Sequence, residues 1–122
     1  MNDSHLVLLA HGSKNPTWRM PFDALLEELR QGVGEDRVHL AYLQMTGPSL
    51  TTVVQGLASQ GAKTIRILPL LMAAGTHAYE DIPSEVESLR ELNPGVSVEI
   101  LPPIGANPRF RSLMREIVKE SL

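Results

Sequence analysis

"LVLLAHGSKNP", Leu6 to Pro16, is the stretch that decides the fold. Its first five residues are all apolar, without the alternation of a strand that keeps one face wet. A continuous apolar run of this length fits a strand covered on both sides, and such strands belong to parallel sheets. The run stops on His11, followed by Gly12 and Ser13, so the strand delivers an imidazole and two small residues at its end.

Working outward, three more runs have strand length: "VHLAYL" (Val38 to Leu43), "TIRILPLL" (Thr64 to Leu71) and "VSVEIL" (Val96 to Leu101). Each run is followed by apolar residues at helical spacing. Phe22, Leu25, Leu26 and Leu29 follow the first, and Leu50, Val53, Val54, Leu57 and Ala58 the second. Ile82, Val86 and Leu89 follow the third, and Phe110, Leu113, Met114, Ile117 and Val118 the fourth. Gly47-Pro48, Ile82-Pro83 and Asn107-Pro108 mark helix starts, because proline is tolerated in a first turn. Pro21 requires the first helix to begin near Thr17 or later. Gly61 and Gly95 sit where helices end. Strand–helix alternation repeated four times predicts an α/β fold: a three-layer sandwich whose four-stranded parallel sheet carries helices on both faces. The unbroken first strand is central, the alternating fourth is an edge, and the second, with His39 near its start, is peripheral. The expected order is 2-1-3-4, with residues 1–122 as one domain.

The composition narrows the function. Fourteen acidic and eleven basic residues leave a net charge of -3, with no basic block, so no nucleic-acid partner is expected. There is no cysteine, which removes disulfides, thiolate nucleophiles and thiolate metal sites together. The apolar start of the chain is too short for a signal sequence or a membrane span, and a cytoplasmic protein with no membrane partner is the expectation.

Open parallel sheets bind ligands beyond the carboxyl ends of their strands, where neighbouring crossovers diverge. In the order 2-1-3-4 that point lies at the ends of strands 1 and 3. His11 ends the first, and "MAAGTHAYEDIP", which holds His77, follows the third. Alone, either histidine reads as a structural residue at a strand end; their shared edge points to a site. Two imidazoles without thiolates suit a borderline divalent metal such as Co, Ni, Fe or Zn, and two protein ligands leave coordination positions open. A phosphohistidine role for His11 stays open at this level, although Ala10 stands where such enzymes usually carry arginine. His5 and His39 fall near strand beginnings, on the opposite edge, as solvent-facing or structural residues.

"LLAHGSKNP", "AYLQMTGPSL" and "GAKTIRILPLLMAAGTHAYEDIP", in this order and spacing, resemble the small class II tetrapyrrole chelatases. These comprise the CbiX-type sirohydrochlorin cobaltochelatases, the sirohaem-pathway ferrochelatases (SirB) and nickel-inserting archaeal relatives. The likeness covers roughly the first 100 positions. It implies a chelatase-like half-unit, working as a homodimer, that inserts a divalent metal substrate (Co2+ first, Fe2+ or Ni2+ as alternatives) into sirohydrochlorin in cobalamin or sirohaem biosynthesis. No organic cofactor is implied. His11 and His77 are the implied metal ligands, and Asp81, Ile82 and Pro83 match the motif that fixes the loop after His77. The sequence departs from many relatives where their strand 2 ends in Phe-Leu-Glu, because here Tyr42-Leu43-Gln44 puts an amide in place of the carboxylate. A non-catalytic metal or tetrapyrrole carrier of the same fold is the alternative.

Insertion needs the aqua ion to lose waters and two pyrrole N–H protons to leave. Glu80, three residues after His77, is the candidate proton acceptor beside the two histidines if that segment is helical. The substrate is a polycarboxylate, so binding calls for helix N-termini and small residues at this edge. Gly12, Ser13, Lys14, Gln44, Gly75 and Thr76 are the candidate substrate-binding residues, with Arg19 nearby.

Overall fold

A computed structural model describes residues 3–73 and 77–122, and the side chains of all of these except 77–79. The elements run β1 (Ser4–Ala10), α1 (Pro16–Val33), β2 (Val38–Tyr42), α2 (Leu50–Ser59), β3 (Thr64–Pro69), α3 (His77–Leu92) and β4 (Ser97–Ile100). A single 3-10 turn (Ile104–Ala106) then leads into α4 (Pro108–Ser121). The strands form one parallel sheet in the order β2-β1-β3-β4. The uninterrupted apolar run is thus an inner strand, and both alternating or histidine-bearing runs are edges.

Successive residues of β1 point to opposite faces, and each face has its own core. Val7 and Leu9 join Ala41, Ile65, Ile67 and Val98 beneath α2 and α3, whose Leu50, Val54, Ile82, Val86 and Leu89 are all buried. Thr51 of α2 donates to Glu85 of α3 at 2.7 Å, which ties the two helices together. On the other face Leu8, Ala10, Leu40 and Tyr42 lie under α1, through Trp18, Phe22, Leu26 and Leu29. This second layer is thinner: no residue of α1 is fully buried.

Two expectations need correction. Proline does not start α2 or α3: α2 begins at Leu50 behind an Ser49 cap, and α3 begins at His77 with Pro83 inside it. Pro21 also lies inside α1, which starts at Pro16 behind Asn15. Each internal proline removes one helical hydrogen bond. Both prolines are exposed. The second correction concerns α4. Its apolar set forms a helix face as its spacing predicts, but Leu113, Met114, Ile117 and Val118 remain 44–50% exposed. Periodicity defines a face; it does not say which surface receives it.

The sheet edges are closed in the same way on both sides. Arg30 of α1 donates its Nε to the Val38 carbonyl at 3.0 Å, and Arg90 of α3 donates to the Val98 carbonyl at 2.9 Å. A guanidinium on an edge carbonyl occupies an acceptor that another strand would use.

Candidate functional site

The carboxyl end of the sheet is built around a close approach of two backbones. Beyond Ala10 the chain turns at Gly12, whose φ is +103°. The Gln44 amide N–H donates to the His11 carbonyl at 3.1 Å, and a Cβ at position 12 would fall on the Gln44 carbonyl. Only glycine satisfies both the positive φ and that contact. Gly12 itself is buried, and its missing side chain makes room for the loop after β2.

This packing brings His11 and Gln44 together. The His11 ring is exposed, and its Nδ1 lies 3.5 Å from the Gln44 side-chain amide and 3.5 Å from the Gly12 carbonyl. Metal-binding histidines commonly give the N–H of one ring nitrogen to a carbonyl or carboxylate, which aims the other nitrogen at the ion. The Gly12 carbonyl can accept from Nδ1, and Gln44 can add its own oxygen by turning its amide, leaving Nε2 directed outward. Which end of an amide faces a ring is assigned from such a network.

The same edge carries a second strained point that spacing gave no sign of. Met45, next to Gln44, adopts φ 66° and is 62% exposed. A left-handed methionine is uncommon, and such residues collect at functional sites. Beside it, Ser13, Lys14, Asn15, Pro16, Arg19, Met45 and Thr46 line a cavity of about 310 Å³. Ser13 accepts from the Asn15 N–H at 3.1 Å, and Asn15 caps α1 by accepting from the Thr17 N–H at 2.9 Å. Lys14 is exposed, and Arg19 pairs with Asp23 at 3.4 Å while reaching Thr46 at 3.5 Å. Two cations and a helix N-terminus therefore converge on one recess next to His11. Behind it Tyr42 is 2% exposed, with the Arg19 guanidinium 5.2 Å from its ring centre, and burial pushes its phenol above the usual range.

Of the other candidate residues, Glu80 is exposed in the first turn of α3. His77 is the first residue of α3, so one helical turn separates positions 77 and 80. The His77 side chain, Gly75 and Thr76 lie outside the described residues. Asp81 is exposed, Ile82 is buried in the core, and Pro83 is exposed. At the opposite end of the sheet, His39 Nε2 lies 3.1 Å from both His5 Nδ1 and the Asp36 carbonyl. Burial lowers the pKa of His39 from 6.5, with the neighbouring His5 acting in the same direction and the Asp36 carbonyl against it. The pair thus lies at the strand starts, in contact with each other and with backbone.

Comparison with known proteins agrees with the fold and extends it. A family model described as CbiX matches residues 5–121. The sirohydrochlorin cobaltochelatase of Sulfurisphaera tokodaii is 36% identical over 117 residues, 96% of this chain and 92% of that protein. The sirohydrochlorin ferrochelatase of Priestia megaterium is 26% identical over 116 residues, 95% of this chain but 44% of its own length. Among solved structures, the cobalamin-biosynthesis CbiX protein of Marinobacter aquaeolei VT8 superposes with a TM-score of 0.82 at 35% identity, covering 97% of this chain and 93% of that one. The cobalt complex of SirB from Bacillus subtilis subspecies spizizenii shares the fold, with a TM-score of 0.80 at 24% identity over 98% of this chain and 51% of that one.

Proposed function

We propose that this chain, which belongs to the CbiX family, is a sirohydrochlorin chelatase. It inserts a divalent metal ion, cobalt first with iron and nickel as alternatives, in cobalamin or sirohaem biosynthesis. The observation that carries the reading is the exposed His11 ring, held at the switch point by Gly12 and Gln44. The named activity of the Sulfurisphaera relative supports it.

The metal is a substrate, and the work of the site is to take it from water and give it to the ring. His11 replaces one or more waters through Nε2, and His77, at the start of α3, supplies a second imidazole. Two protein ligands leave positions open for the macrocycle nitrogens. The two pyrrole protons need an acceptor. Gln44 cannot serve, because an amide takes up no proton near neutrality. Glu80 or water receives them. The substrate carboxylates bind Lys14 and Arg19, beside the positive end of the α1 dipole. Ser13 borders that recess, Gly12 shapes it, and Gly75 and Thr76 complete the set from the β3–α3 connection.

Gln44 favours one other reading, a carrier that holds metal or tetrapyrrole without turnover. Anaerobic incubation of the protein with sirohydrochlorin and each of Co2+, Fe2+ and Ni2+, followed by absorbance against a protein-free control, decides. Insertion faster than the control with at least one ion is expected. Pigment binding with no acceleration by any ion would favour the carrier. Gln44→Glu is expected to keep or raise the rate, and Glu80→Gln to lower it several-fold, most near neutral pH. A harmless Glu80→Gln would leave water as the acceptor.

A homodimer with both pockets on a common cleft belongs to this proposal, because a recess of about 310 Å³ is small for a tetrapyrrole and such ligands sit where domains meet. Full activity from a species sedimenting only as a monomer at micromolar concentration would remove it. A cytoplasmic location, testable by cell fractionation, completes the proposal.

A further inference from the structure

We infer that the amino end of the sheet holds a second divalent-metal site, formed by His5 Nδ1, His39 Nε2 and the Asp36 carbonyl. The ion it takes is one that imidazole prefers, such as zinc, cobalt or nickel. The inference does not rest on the chelatase reading, since none of these residues belongs to the proposed insertion site.

Register brings the donors together. Val7 pairs with His39 across β1 and β2, and His5, two residues before Val7, shares its face of the sheet. The ring centres are 5.2 Å apart, and His39 Nε2 lies 3.1 Å from both His5 Nδ1 and the Asp36 carbonyl oxygen. Two donors bound at about 2.1 Å to one ion stand roughly 3.0 Å apart at a right angle and roughly 3.4 Å apart at the tetrahedral angle. The observed spacing falls in that interval.

The same spacing suits a hydrogen bond, but protons serve these three atoms poorly. A proton on His39 Nε2 is divided between the carbonyl and the other ring. A proton on His5 Nδ1 leaves Nε2 and the carbonyl oxygen facing each other with lone pairs. A cation among the three atoms uses all of their lone pairs at once.

The surroundings admit such an ion. His39, Leu57 and Gln60 border an open cleft of about 380 Å³ along the β2 edge. Leu57 lies in the last turn of α2 and Gln60 caps it, and the carbonyl end of a helix favours a cation. The Asp36 charge acts on His39 in the same sense and the Arg30 charge against it. Arg30 is tied to the Val38 carbonyl through its Nε at 3.0 Å. Three protein donors leave positions for water, so the ion exchanges with solvent.

Six residues separate His5 from His11, about 20 Å along an extended strand. An ion at the amino end therefore does not touch a substrate held at the carboxyl end. It ties the starts of β1 and β2 together, and it stabilises the fold according to its occupancy.

Zinc, which is diamagnetic, is the probe. Long-range proton–nitrogen NMR of the labelled protein near neutral pH reads each ring nitrogen separately. Added zinc should move the His5 Nδ1 and His39 Nε2 resonances together, in the wild type and in His11→Ala/His77→Ala, where the carboxyl-end ligands are gone. In that double variant, adding either His5→Gln or His39→Gln should weaken zinc binding by more than about tenfold in equilibrium dialysis. Either change should also abolish the zinc-dependent rise in melting temperature. Resonances of both rings unmoved at excess zinc, movement of one ring only, or zinc affinity indifferent to both glutamine changes would overturn the site. The insertion assay with sirohydrochlorin reports on the chelatase reading whichever way the zinc titration goes.

Discussion

The sheet carries histidines at both ends, and the two ends treat them differently. At the amino end, His5 and His39 lie 3.1 Å apart, and the His39 ring is also within 3.1 Å of a backbone carbonyl. At the carboxyl end, His11 is exposed and its neighbours stand at 3.5 Å on one ring nitrogen only. The first arrangement engages one nitrogen of a half-buried imidazole, and burial lowers its pKa. The second orients an imidazole and leaves its other nitrogen to solvent. Each end thus engages one ring nitrogen of its histidine; what differs is the tightness of the contact, 3.1 Å against 3.5 Å, and the exposure of the ring, half-buried for His39 and exposed for His11.

The largest effect is expected at His77, the proposed second metal ligand. His77→Ala should lower insertion by more than about 100-fold, beyond what loss of an outer hydrogen-bond partner costs. Its melting temperature should stay within a few degrees of wild type. Full rate with both cobalt and iron would remove His77 from the site. Next in size is Gly12→Ala, which places a side chain on the Gln44 backbone at positive φ. It should cost about 2–4 kcal/mol and lower the melting temperature by roughly 10 °C. Thermal unfolding unchanged from wild type would mean the close approach is not needed.

The amino end supplies the smallest effect. A histidine whose folded pKa lies below 6.5 binds its proton better in the unfolded chain. Stability is then full above pH 6.5 and declines as the pH falls from there through the folded value. His39→Gln should flatten that part of the stability–pH curve, read from urea midpoints between pH 7.5 and 5. An unaltered slope would show that His39 is not the group responsible.

Much of the architecture is legible in the sequence because strand burial leaves a direct mark. Leu6 to Ala10, unbroken and apolar, fitted an inner strand, and the alternation of Val96, Val98 and Ile100 marked an edge. Helix starts were less legible, since exposed prolines at 21 and 83 are compatible with helix and their exposure is a tertiary property. The fate of α4 was not legible at all: five apolar residues at helical spacing look the same whether they meet this sheet or another surface. At the site, His11 was readable from its place at the end of an unbroken apolar run. Gly12 looked like space for a ligand, whereas the structure fills that space with the Gln44 backbone. The His5–His39 contact depends on the register that pairs Val7 with His39 and puts both rings on one face, and no local pattern records a register.

The most direct test of the difference between the two ends is a pair of variants in one assay. His11→Ala and His39→Ala are compared with wild type for the initial rate of cobalt insertion into sirohydrochlorin at pH 8, where the folded fraction of each is checked by circular dichroism. His11→Ala is expected at the protein-free background and His39→Ala within about twofold of wild type. A folded His11→Ala that keeps the wild-type rate would remove His11 from the site, and a folded His39→Ala that loses it would place chemistry at the amino end as well.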